Sequence, residues 1–341
     1  MFKRNKSWLF CLFFNTQGVY ALLPETGHLP LTQLAFDDYQ RCFPEQYISP
    51  LFIDRMLRAN RSMDEGTQYL SKAEKKIKGA KKYFSVLNRI DDWHFYNPHK
   101  VSDELTVQGL VHKSMDRLWA RGLSLFHSTK KSEDKALFLG ALMHLLEDTS
   151  VPAHVMPVYH GPVAVKYMGH FEKYVDYMVA AGLVEGRGLK MMIKDAIDAQ
   201  VIVPATLQKT SLNCNQIKAG ALKTPDVLRY DMALYTLAKI KEVIPHCRDK
   251  DKNIQWQVFW NKPLKDQDGK LMKSDYFSAY NTQAGFPLFG KKGIIMDDEG
   301  NHYCAMNDND ERYLAFMEAL QQEIRLQNIH LLRWAFSQIY P

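Results

Sequence analysis

Strand-like alternation is scarce over the first two thirds of this chain, which argues against sandwiches and barrels built from many short strands. No internal repeat or low-complexity tract stands out, so a solenoid or a linker-rich array is excluded. No apolar run reaches the roughly 20 residues of a membrane-spanning helix. Cysteine is sparse, at 5 in 341 residues, and never in the close Cys-x-x-Cys spacing of a metal ribbon. The excess of positive charge is small as well, +6 overall, and does not distinguish a nucleic-acid partner from a membrane surface. The run from Lys72 to Lys82 is locally basic and reads first as a solvated helix face, with contact to the phosphates of either kind of partner as the alternative.

What is present is a chain of 341 residues, 46% hydrophobic, long enough for a sizeable core and a second unit. Helical patterns recur at about 46–60, 66–88, 103–126, 133–148, 170–183, 187–199 and 225–243. They predict an all-α fold, a multi-helix bundle whose ligands project inward from several helices. After His246 the composition turns aromatic and turn-rich, with Trp256, Phe259, Trp260, Pro263, Gly269, Tyr276, Gly285 and Pro287, which predicts a few short strands. A long helix then closes the chain from about 310 to 339, with Leu314, Met317, Leu320, Ile324, Ile329, Leu332 and Phe336 as its buried stripe. Residues 22–244 are read as the helical domain and 245–341 as an extension folded back on it.

The amino terminus has the form of an export signal. Lys3, Arg4 and Lys6 precede a short apolar stretch at 8–14, and Val19-Tyr20-Ala21 offers small residues where a signal peptidase cuts. Removing residues 1–21 would free the amine of Leu22 and lower the formal charge from +6 to +3. A secreted or periplasmic protein is expected, without a transmembrane segment. Cys11 would leave with the leader, and Cys42, Cys214, Cys247 and Cys304 could pair in three ways, among which the sequence does not choose.

The most informative stretch is Leu142-Met143-His144-Leu145-Leu146-Glu147-Asp148-Thr149-Ser150-Val151-Pro152-Ala153-His154. Residues 136–146 are strong helix formers, so the four-residue step stacks His144 and Asp148 on one face. Thr149, Ser150 and Pro152 end or bend the helix, and His154 emerges beside its end. A core histidine bonded to an aspartate is the plainer reading of such a pair. With flanks nearly all apolar, however, burying a carboxylate and two imidazoles costs several kcal/mol unless something offsets it. A divalent cation does so directly. Further ligand candidates stand apart in the chain: His94 between aromatics before Pro98, His28 after Gly27, and His170 and Glu172 at the start of another amphipathic stretch.

With those residues in place, the chain resembles the zinc-dependent phospholipases C and their relatives, the single-strand-specific zinc nucleases. The pattern His144-x-x-x-Asp148-x-x-x-x-x-His154, with its proline, is similar to the family's central motif. His94-Phe95-Tyr96-Asn97-Pro98 resembles the phospholipase branch more than the nuclease branch, and Gly27-His28 resembles the family's mature amino terminus. The likeness covers roughly residues 22 to 180.

This resemblance implies up to three Zn2+ ions. One would be held by His94, His144 and Asp148, and a second by His28, the bridging Asp148 and the backbone amine and carbonyl of Leu22. The third would take His154 with Glu172 and a histidine. His170 lies only two residues before Glu172, and positions two apart on a helix do not share a face. Either His170 sits at the helix entrance or His160 supplies that ligand. An acidic general base is expected between His28 and His94, with Asp64 the first candidate and Asp91 and Asp92 next. The implied activity is a phospholipase C acting at a membrane surface, hydrolysing phosphatidylcholine-like glycerophospholipids to diacylglycerol and a phosphorylated headgroup. A zinc-dependent nuclease on the same fold is the nearest alternative, with nucleic acid the less favoured substrate. A non-catalytic helical binding protein is the second.

Overall fold

A computed structural model of the protein describes residues 27–63, 94–99, 115–156, 212–249, 252–257, 293–296, 302–306 and 311–340. The proposed leader and the expected helices at 66–88, 170–183 and 187–199 lie outside the described residues, as does most of the aromatic, turn-rich segment. The elements run in the order α1 (Leu29–Cys42), α2 (Pro50–Ser62), α3 (Asp116–Ser128), α4 (Ser132–Asp148), α5 (Pro152–Val155), α6 (Cys214–Ala219) and α7 (Pro225–Lys239). Strands β1 (Val243–Asp249), β2 (Lys252–Gln255), β3 (Gly293–Met296) and β4 (His302–Met306) follow, and then the 29-residue helix α8 (Glu311–Ile339). The strands form two antiparallel pairs, β1 with β2 and β3 with β4. The fold is all-α with these two small ladders appended.

Helix α1 was not among the expected spans. It starts with Pro30 in its first turn, where a missing N–H costs nothing. It buries Leu31, Ala35, Phe36 and Tyr39 along one stripe. Helix α2 begins at Pro50 and not at 46, because the Ser49 side chain accepts a hydrogen bond from the Phe52 N–H at 3.2 Å and caps it. Helix α7 stops at Lys239, short of the expected 243, since Val243 opens β1.

The centre of the bundle is α4, buried on all sides from Leu139 to Asp148. Such a helix must be enclosed by others, and α2, α3, α7 and α8 pack against it. The approach of α2 is close: a Cβ built at Gly140 would lie 2.0 Å from the Met56 carbonyl oxygen, so only glycine fits there.

Helix α8 lies against α1, α4 and α7. Its Phe336 ring meets Tyr39 of α1 at 5.1 Å and Phe52 of α2 at 5.4 Å between centroids. The expected stripe holds except at its first member: Leu314 is 41% exposed, and Tyr313 is buried in its place. A buried ion pair fastens the same helix to α1, with Arg325 Nε and Nη2 at 2.7 and 2.6 Å from Asp38 Oδ2. Cys42 and Cys214 form a disulfide that ties α1 to α6, and Cys247 is disulfide-bonded too. No described helix is long and apolar enough to cross a membrane.

Candidate metal centre

His144 and Asp148 occupy the last two turns of α4, with His144 Nε2 at 3.3 Å from Asp148 Oδ2. The helix ends directly afterwards because Thr149 and Ser150 turn their hydroxyls back on it, each donating at 2.6 Å to the carbonyls of Leu146 and Glu147. The Thr236 hydroxyl of α7 donates to the Thr149 carbonyl at 2.8 Å and holds the bend. Pro152 then starts the single turn α5, which carries His154 back toward the end of α4.

The 94–99 segment is laced to that turn. His154 Nδ1 donates to the His94 carbonyl at 2.6 Å, the Tyr96 N–H to the His154 carbonyl at 3.1 Å, and Asn97 Nδ2 to the Val155 carbonyl at 2.8 Å. These three bonds place the His94 side chain against Asp148. His28 arrives from the start of α1, where its ring stacks on that of His144 with centroids 3.9 Å apart.

Asp148 is the hub. Its Oδ2 lies 2.6 Å from His94 Nδ1 and 3.3 Å from His144 Nε2. Its Oδ1 lies 3.5 Å from His28 Nε2 and 3.6 Å from His154 Nε2. Oδ2 nevertheless accepts no hydrogen bond of proper geometry, although it is buried. Nitrogen and oxygen atoms crowded in this way, with His144 Nε2 also 3.2 Å from His94 Nδ1, are disposed as ligands of a shared cation would be. His28, His144 and Asp148 each offer one such atom, all within 4.8 Å of one another, and this buried group could hold a metal ion.

Charge favours the same reading. Burial pushes the His144 imidazole well below its ordinary range, and the neighbouring His28 adds to it. Burial also lowers His154, against the pull of Asp148. For Asp148 burial acts upward, but His154, His144 and His94 together outweigh it and hold the carboxyl well below the usual range. At His144 and His154 burial thus favours the neutral imidazole, the deprotonated donor that a divalent cation requires. Imidazole nitrogen with carboxylate oxygen is a donor set for a divalent transition metal.

Of the residues singled out in the sequence, His28, His94, His144, Asp148 and His154 are therefore brought together. Leu22, Asp64, Asp91, Asp92, His160, His170 and Glu172 lie outside the described residues. One residue at the centre was missed. Glu147, fully buried, receives His28 Nδ1 at 2.6 Å and the Thr32 hydroxyl at 2.6 Å, and also the side-chain amides of Asn60 and Asn328. Its signal in the sequence was an acid inside an otherwise apolar run. No family model, no curated protein and no solved structure matches this chain.

Proposed function

We propose that the chain is an exported, zinc-dependent phosphodiester hydrolase of the phospholipase C type, cleaving phosphatidylcholine-like lipids to diacylglycerol and a phosphorylated headgroup. One observation carries this reading: each oxygen of the buried Asp148 carboxylate is faced by two imidazole nitrogens. His94 and His144, together with Asp148, would hold one zinc. His28, with Asp148 shared, would hold a second, completed by the freed backbone of Leu22. His154 would serve a third with Glu172 and either His170 or His160. Bound there, zinc supplies positive charge that offsets the charge developing on the phosphate oxygens, and it acidifies water near neutral pH.

The protein's own groups set the rest. Asp148 stands between the two pairs of imidazoles, and the 94–99 segment is tied to His154 by hydrogen bonds to the His94 carbonyl and from the Tyr96 N–H that need no metal. Asp64 is the candidate to take the proton of the attacking water. Paired disulfides accord with an oxidising compartment.

The test is hydrolysis of phosphatidylcholine vesicles by zinc-loaded protein, read as phosphocholine release. Release is expected from the wild type and not from His144→Ala; wild-type rates in that variant would sink the site. Degradation of single-stranded DNA with the vesicles left intact would move the substrate to nucleic acid.

A further inference from the structure

Two adjacent acids end helix α4, and they address opposite nitrogens of the one His28 ring. Asp148 is ringed by imidazoles and has an oxygen that accepts no hydrogen bond. Glu147 is held by hydrogen bonds instead, and its two oxygens take four donors. Oε1 accepts from Thr32 Oγ1 at 2.6 Å and Asn328 Nδ2 at 2.8 Å, while Oε2 accepts from His28 Nδ1 at 2.6 Å and Asn60 Nδ2 at 3.0 Å. A carboxylate offers about four lone-pair sites, so this one is saturated and has none to lend a metal. The Asn60 amide also donates to Thr32 Oγ1 at 2.9 Å, which closes the network.

From this geometry we infer that Glu147 is a positioning residue for the metal centre, acting through His28, and that Asn328 makes the C-terminal helix α8 part of that centre. The first half follows from tautomer chemistry. Neutral imidazole carries one proton, and an acceptor 2.6 Å from Nδ1 keeps it there. The lone pair is then on Nε2, the atom 3.5 Å from Asp148 Oδ1. A second carboxylate or carbonyl behind a ligating histidine fixes its orientation and raises its basicity. His154 shows the same arrangement with a different partner, since its Nδ1 donates to the His94 carbonyl and its Nε2 faces Asp148.

The second half follows from where the donors come from. Thr32 is on α1, Asn60 on α2 and Asn328 on α8, so three helices fix one carboxylate. Asn328 is fully buried in the middle of α8, where an amide N–H is costly to leave unbonded, and its Nδ2 spends its bond on Glu147. Its bond to Glu147 links residues 181 apart in sequence. The packing of the chain's last helix is thereby coupled to the orientation of a ligand near its first.

The inference rests on the metal-centre reading above, and the experiment separates the two. Zinc affinity of the full chain is measured by competition with a chromogenic chelator, and the His28 tautomer by 15N shifts of the imidazole nitrogens in metal-free protein. Wild type is expected to show His28 protonated at Nδ1. Glu147→Ala is expected to lose that preference and bind zinc about 10- to 100-fold more weakly. Asn328→Ala, which leaves Glu147 in place, is expected to weaken zinc in the same direction by a smaller factor, and it decides the question if Glu147→Ala does not fold. Folded variants with wild-type affinity and an unchanged His28 tautomer would overturn the proposal. Should wild type bind no zinc, the metal reading falls, while the tautomer comparison still decides whether Glu147 sets His28.

Discussion

Gly140→Ala places one methyl group where the structure has no room, eight residues from the metal-centre carboxylate. The new Cβ would sit 2.0 Å from the Met56 carbonyl oxygen, 2.8 Å from its carbonyl carbon and 3.0 Å from its Cα. All three are backbone atoms, so no side chain can swing aside. Restoring ordinary contact moves α2 away from α4 by more than an ångström. Helix propensity works the other way and favours alanine by about 1 kcal/mol. Overpacking costs about 1–3 kcal/mol. One turn along α2 from Met56, the 3.0 Å bond from Asn60 to Glu147 would stretch beyond use, and losing a hydrogen bond to a buried charged group costs roughly 1.5–3 kcal/mol. The clash should win by about 1.5–5 kcal/mol net. Urea unfolding of metal-free protein should show a lower midpoint at an unchanged slope, and zinc affinity should fall with it. A Gly140→Ala midpoint equal to wild type would refute this account of how α2 and α4 meet.

Other perturbations have equally definite expectations. Burial lowers His144 and His154 in the folded state, so the unfolded chain binds more protons below its ordinary imidazole value of 6.5, and metal-free protein should lose stability as pH falls beneath that value. His330, lowered to about 4 by burial and by Arg333, adds to the loss between 6.5 and about 4; thermal melts across that range that stay flat would contradict the assignment. Asp148, also lowered, adds its own loss only as pH falls from 3.8 through its folded value. Arg325→Ala leaves Asp38 with only the half-exposed Arg41 and should cost about 3–5 kcal/mol in urea unfolding. Cys42→Ser with Cys214→Ser opens a link across 172 residues and should cost about 2–4 kcal/mol, read as a shifted midpoint.

The helical class of the fold and part of the cluster around Asp148 were both legible in the chain. The step from His144 to Asp148 is readable because helical periodicity alone puts both on one face, and Pro152 announces the turn that returns His154. The presence of His28 and His94 at the same carboxylate depends on long-range packing and on side-chain to backbone bonds between the 94–99 segment and α5, which no local pattern encodes. Helix α1 escaped because Pro30 reads as a breaker unless it is known to occupy a first turn. Glu147 escaped for a different reason. Its partners Thr32, Asn60 and Asn328 are polar residues on three separate helices, and each looks like an ordinary helix position until those helices meet. The α8 stripe was legible through Phe336, but its amino-terminal end was misplaced by one residue because Tyr313 and Leu314 are both apolar and only packing chooses between them.

Metal stoichiometry tests the central claim most directly. After zinc loading and mild dialysis, native mass spectrometry of the purified chain should show at least one tightly held zinc, with up to three, and His144→Ala should lose bound metal while staying folded. Far less than one zinc per wild-type chain would contradict the account, leaving the imidazoles around Asp148 as packing and nothing more.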